Sequence, residues 1–129
     1  MAPDRNQPVT AVAQLDASAV AALLNLLGGD AAALVEVLDA FVDEAPSQLV
    51  CIEEGIADGD LAAVHRAAHT LKSNALTFGA SGFADASRRL EEAARAGDAA
   101  AARELAGAVS SAWAESRPAL GQLRGRYAA

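Results

Sequence analysis

His69 is the residue in this chain best suited to covalent chemistry, and its neighbours at helical spacing indicate what kind. In the run Ala67-Ala68-His69-Thr70-Leu71-Lys72-Ser73-Asn74-Ala75-Leu76-Thr77-Phe78-Gly79, a lysine follows the histidine by three residues and a serine follows it by four. A neutral imidazole has a nucleophilic nitrogen that nothing need deprotonate, and an ordinary histidine pKa of about 6.5 leaves most of the ring neutral at pH 7. Lys72 can offset negative charge placed on the ring, and the small Ser73 leaves room for a partner surface. The combination suits an anionic reactant. The plainer reading of each is a solvated surface histidine, a lysine whose stem covers apolar surface, and a tolerated small residue.

These residues depend on a helix to present them. Leu61, Val64, Ala68, Leu71, Ala75 and Phe78 recur at steps of three and four, which puts them on one helical face. At about 100° per residue, His69 points roughly 120° from the centre of that stripe, towards solvent in mid-helix. Lys72 lies near the boundary of the two faces, and Ser73 shares the outward face. The predicted helix runs from about Leu61 to Phe78 with Asp60 as N-cap. Gly79 suits the left-handed position that ends it, a structural role.

His65 lies one turn before His69, about 40° round the helix and nearer the core boundary. Two histidines at this spacing can share a metal, and His65-Arg66-Ala67-Ala68-His69 has the spacing of a zinc-protease His-Glu-x-x-His run. Arg66 stands where that chemistry needs a glutamate, and no third histidine exists to complete a site. The sequence therefore predicts no metal and no cofactor. His65 reads as a boundary residue that frames a docking face. Arg66, on the outward side, can pair with acidic groups of a partner or be merely solvated.

The whole chain fits a helical scaffold. It has 129 residues, enough for one domain with a real core. Residues are 53% apolar but only 4% aromatic, and alanine, the best helix former, makes up about a quarter. Period-two alternation is absent. The net charge of −7 argues against nucleic acid, which needs clustered cations, and against anionic membrane surfaces. No apolar run reaches the roughly 18 residues of a membrane span, and the N-terminus lacks a signal-peptide core, so a cytoplasmic location is expected. The single cysteine, Cys51, excludes an internal disulfide; beside its helix's apolar stripe, it reads as a buried thiol.

Taken in order, residues 1–13 carry Pro3 and Pro8 without periodicity and read as a flexible tail, and residues 14–129 as the domain. Asp16 or Ser18 caps a short helix that uses Val20, Leu23, Leu24 and Leu27 and ends at Gly28-Gly29. Asp30 caps a longer stripe, Leu34, Leu38, Phe41, Ala45, Leu49, Ile52 and Ile56. Its continuity through Pro46 predicts a kinked helix or two abutting ones. The acidic residues off this stripe, Asp39 among them, read as a solvated face, and Gly55 as a cost to the helix. After the histidine helix, Phe83, Ser87, Leu90 and Ala94 mark another. Asp98 caps the last, with Leu105, Val109 and Ala112, which should bend or restart at Pro118. Short turns between long helices force antiparallel neighbours. The predicted fold is all-α, an up-down antiparallel four-helix bundle with a short additional N-terminal helix, and monomeric.

The pattern His-x-Leu-Lys-(small)-x5-Gly, carried by His69, Leu71, Lys72, Ser73 and Gly79, resembles the signature of the histidine phosphotransfer (HPt) domains of bacterial phosphorelays. Gly79-Ala80, Phe83, Arg89-Leu90-Glu91 and Ala96-Gly97-Asp98 resemble the family's next helix and turn. Upstream, Phe41-Val42-Asp43-Glu44-Ala45-Pro46 and Asp58-Gly59-Asp60 do the same, so the likeness covers roughly Leu15 to Leu123. It implies that His69 is phosphorylated on a ring nitrogen and exchanges the phosphoryl group with a receiver-domain aspartate, assisted by Lys72. The partners implied are a response-regulator receiver domain, a hybrid sensor histidine kinase, or both. It implies no autonomous kinase activity, in keeping with the lack of a Gly-rich nucleotide loop. Ser73 stands where the family often has glycine, and Leu76 where it usually has a small residue. With His65 and Arg66, these two are the expected partner-binding positions, Leu76 adding bulk that shapes partner choice or slows transfer. The competing readings are a phosphorylation-independent helical adaptor, which Ser73 and Leu76 favour, and a metal-dependent hydrolase using both histidines.

Overall fold

The structure, a computed structural model, describes residues 14–128, so the tail assigned to residues 1–13 lies outside the described residues. All regular structure among these is helical: α1 (Ala17–Leu26), α2 (Ala31–Asp58), α3 (Leu61–Thr77), α4 (Ser81–Arg95) and α5 (Ala99–Tyr127). Four of the five starts are capped by an aspartate side chain. Asp16 accepts from the Ser18 N–H, Asp30 from Ala33, Asp60 from Ala63 and Asp98 from Ala101, at 2.9 to 3.1 Å. Only α4 starts without one, after Ala80.

Helices α2 to α5 form a closed ring in which each packs on two neighbours: α2 on α3 and α5, α4 on α3 and α5. The turns between them are two or three residues long, so consecutive helices run antiparallel. α1 lies against α2 and α3, where Val20 enters the core and Leu23, Leu24 and Leu27 pack on it. The up-down bundle with one added N-terminal helix is thus the fold the sequence predicts.

All three phenylalanines and the one tryptophan gather at one place. Phe41 of α2 stacks on Phe78 with centroids 5.4 Å apart, and Trp113 of α5 meets Phe41 edge-on at 5.4 Å and Phe83 of α4 at 5.3 Å. This cluster joins α2, α4 and α5 to the end of α3. Gly79, at φ +70°, turns the chain there. A Cβ at Gly79 would lie 2.6 Å from the Asp16 carbonyl oxygen, because the Asp16 N–H donates to the Gly79 carbonyl at 2.8 Å. The glycine therefore ends α3 and also admits the start of α1.

α2 runs through Pro46 and α5 through Pro118 as single helices, so of the two outcomes the sequence left open, a bent helix or two abutting ones, the second is excluded. Ala45 beside Pro46, and Ala119 and Leu120 beside Pro118, are buried, as is Ile52 further along α2, and that packing offsets the lost N–H. Cys51 is exposed, not buried. α2 meets only two long neighbours in the ring, so its buried stripe is narrow, and Ile52 and Gly55 take the inward positions beside it. Gly55 proves to be a contact point rather than a mere cost: a Cβ there would lie 2.7 Å from Cγ2 of Val64 on α3. Asp39 is not simply solvated, because Arg124 of α5 donates to both of its carboxylate oxygens at 2.8 and 3.1 Å.

Candidate functional site

α3 buries Val64, Ala67, Ala68, Leu71 and Ala75, which leaves His69 on the outward side with 58% of its side chain exposed. Its level along the bundle follows from the hairpin. His69 stands ten residues before Gly79 and Glu91 twelve after it, so the antiparallel pair brings the two side by side. Glu91 belongs to the buried stripe of α4, with Phe83, Ser87, Leu90 and Ala94, and only 6% of its side chain is exposed.

One carboxylate organises the site. Glu91 Oε2 lies 2.8 Å from Nδ1 of His69. The Lys72 ammonium forms an ion pair with Oε1 at 2.7 Å. Nε2 of His65 is 3.7 Å from Oε2, and the rings of His65 and His69 are within 10° of parallel. Burial pushes the Glu91 carboxyl up, but the Lys72 ammonium and the His69 ring outweigh it and hold its pKa below the ordinary 4.5. Glu91 is therefore ionised and can only accept.

That fixes the chemistry of the histidine. A carboxylate at Nδ1 selects the tautomer with the proton on Nδ1, which leaves the Nε2 lone pair uncommitted on a ring that is more than half exposed. Charge that develops on the ring when Nε2 attacks an electrophile is met by the carboxylate behind it. The arrangement serves a nucleophilic imidazole that takes up and releases an electrophilic group.

The other expected site residues fall around this centre. His65, half-buried, and Arg66, exposed, border a hollow of about 420 Å³ with Leu61, Ala62, Ala94 and Arg95. Ser73 is exposed, as is Leu76 at 57%. Leu76 joins Ala19, Ala22, Leu23, Leu26 and Thr77 in an apolar groove of about 290 Å³ between α1 and α3, where Leu26 is 82% exposed. Lys72 turns towards Glu91. Among the described residues, no group of three or more His, Cys, Asp or Glu side chains has the geometry to hold a metal ion, and no single helix is long and apolar enough to cross a membrane.

Glu91 is the functional residue that reading the sequence missed as a site. Its signal was present: it follows Leu90 and stands four residues after Ser87, so a carboxylate occupies the apolar stripe of its own helix. A buried acid is costly unless paired, so its position implies a cationic or N–H partner on a neighbouring helix.

The Hpt domain family matches residues 36–124, from within α2 to within α5. Among solved structures, the chain is similar to histidine-containing phosphotransfer protein B (HptB) from Pseudomonas aeruginosa PAO1, with 27% identity and a TM-score of 0.79 over 91% of this chain and 99% of that one. No curated protein matches. The chain belongs to the Hpt domain family, the histidine phosphotransfer domains of two-component systems.

Proposed function

We propose that His69 accepts a phosphoryl group on Nε2 and relays it to or from the aspartate of a response-regulator receiver domain. The observation that carries this reading is the 2.8 Å contact between Nδ1 of the exposed His69 and the buried carboxylate of Glu91. In the forward step the Nε2 lone pair attacks phosphorus in line. The N–P bond forms as the aspartyl O–P bond breaks, and the bonding pair leaves with the aspartate oxygen. The proton on Nδ1 stays between ring and carboxylate throughout, so no general base is needed. The reverse step retraces this path. Positioning does most of the work, with the receiver's own metal ion meeting charge on the phosphoryl oxygens.

Glu91 and Lys72 are positioning residues in this scheme. Glu91 sets the tautomer, and Lys72 keeps Glu91 ionised while placing positive charge one turn from the reacting nitrogen. The groove containing Leu76 and Leu26 supplies apolar area for a receiver, and Arg66 and Ser73 border the approach. The domain is residues 14–129, a cytoplasmic, monomeric relay module without kinase activity of its own, served by a receiver domain or a hybrid sensor kinase.

The test uses a panel of radiolabelled phospho-receivers with wild type and a His69→Gln variant. Label that moves only to wild type, and is lost in acid but stable in base, supports the reading. Equal, stable binding of both variants to a receiver without transfer overturns it in favour of the phosphorylation-independent adaptor.

A further inference from the structure

Glu91 Oε2 has two imidazole neighbours. His69 Nδ1 is hydrogen-bonded to it at 2.8 Å, and His65 Nε2 waits at 3.7 Å, beyond hydrogen-bond reach but within ion-pair range. The two rings lie one turn apart on α3, 10° from parallel, with centroids at 6.4 Å. His65 is 35% exposed, so a proton from solvent can reach it. The charged groups around it are Glu91 and Arg95 on α4 and Arg66 on its own helix.

We propose that His65 is a proton-sensitive positioning residue for the transfer reaction, competing with His69 for Oε2 of Glu91. This rests on the reading of His69 as the phosphoryl acceptor. While His65 is neutral, Glu91 directs its charge at His69 Nδ1, and the parallel ring limits reorientation of the His69 imidazole. A proton on His65 turns the 3.7 Å contact into an ion pair. Oε2 then serves two donors and its hold on Nδ1–H weakens, which reduces the electron density available at Nε2. The carboxylate shared by both rings thus links the protonation state of one to the reactivity of the other.

The residue does this without touching the phosphoryl group. A proton on Nε2 of His69 blocks attack, so that ring alone makes transfer fall in acid as one proton is taken up. Adding His65 makes it fall as two are taken up.

The experiment measures the transfer rate from a phosphorylated receiver between pH 5 and 8 for wild type, His65→Gln and His65→Phe. Gln keeps a neutral donor and Phe keeps the ring plane, and circular dichroism checks that both fold. Rates are compared as the ratio of wild type to variant, so the donor's own pH dependence cancels. The expected result is a ratio that falls through the imidazole range by up to about tenfold per pH unit for both variants. In parallel, 15N spectra of the His69 ring should show a pH dependence of its Nδ1–H signal that differs between wild type and His65→Gln. A flat ratio together with the same His69 pH dependence in both proteins overturns the proposal. A wild type that takes no label at any pH overturns the acceptor reading instead, while the ring spectra still report whether the two histidines are coupled.

Discussion

Replacing Glu91 with glutamine keeps the side chain's shape and removes its charge, which isolates the role assigned to the carboxylate. The amide oxygen can satisfy only one neighbour. Facing Lys72, it turns its NH2 towards His69, so Nδ1 must accept and the ring proton moves to Nε2, where it blocks attack. Facing His69, it sets the NH2 against the Lys72 ammonium. A hydrogen bond to a charged group contributes about 1.5 to 3 kcal/mol, and about 1.36 kcal/mol is a factor of ten in rate. His69 is more than half exposed, and solvent screening moves the expectation to the lower end of that range, about 10- to 30-fold slower transfer. The assay is single-turnover transfer from a phospho-receiver to wild type and Glu91→Gln at pH 7.5, with 15N spectra of the His69 ring to read the tautomer. A variant within twofold of wild type, its His69 proton still on Nδ1, would refute the reasoning, because the carboxylate would then set neither tautomer nor rate.

Four further outcomes follow from the same geometry. The folded-state pKa of Glu91 is depressed, so the stability it contributes is present above the ordinary 4.5 and is lost as pH falls through the folded value. Urea melts between pH 7 and 3 should show wild type losing that increment and Glu91→Gln lacking it throughout. Lys72→Met leaves the buried carboxylate without its nearest cation and should raise the Glu91 pKa, read by 13C titration of the carboxyl, and slow transfer. Gly79→Ala forces an L residue to φ +70° and a Cβ to 2.6 Å from the Asp16 carbonyl oxygen, and should cost about 2 kcal/mol or more by chemical denaturation. Cys51 is exposed, so an aromatic disulfide reagent should label it in the native protein at a rate close to that in urea.

The predictions about Cys51 and Glu91 come from the places where local pattern and tertiary structure part. Reading Cys51 as buried treated the apolar stripe of α2 as broad, whereas a helix with two long neighbours in a ring buries only a narrow one. Gly55 looked like a weakness because a sequence cannot show that Val64 of another helix needs that space. Pro46 and Pro118 each left two outcomes open in the sequence, a bent helix or a second one, because local rules weigh a lost N–H but not the packing that carries one helix through it.

What the sequence alone determined is everything that depends on spacing along one helix or on the chemistry of a single residue type. The three-four periodicity sets five helices, the aspartates start four of them, and short turns make them antiparallel. The same periodicity turns His69 outward in mid-helix and puts Lys72 one turn beyond it. Tertiary structure alone decided which nitrogen of that histidine is free. That depends on Glu91, twenty-two residues away, buried on a different helix and brought level with His69 by the α3–α4 hairpin. An imidazole's reactive nitrogen is set by the hydrogen bond its other nitrogen makes, and that partner is a property of the packed pair of helices rather than of either one.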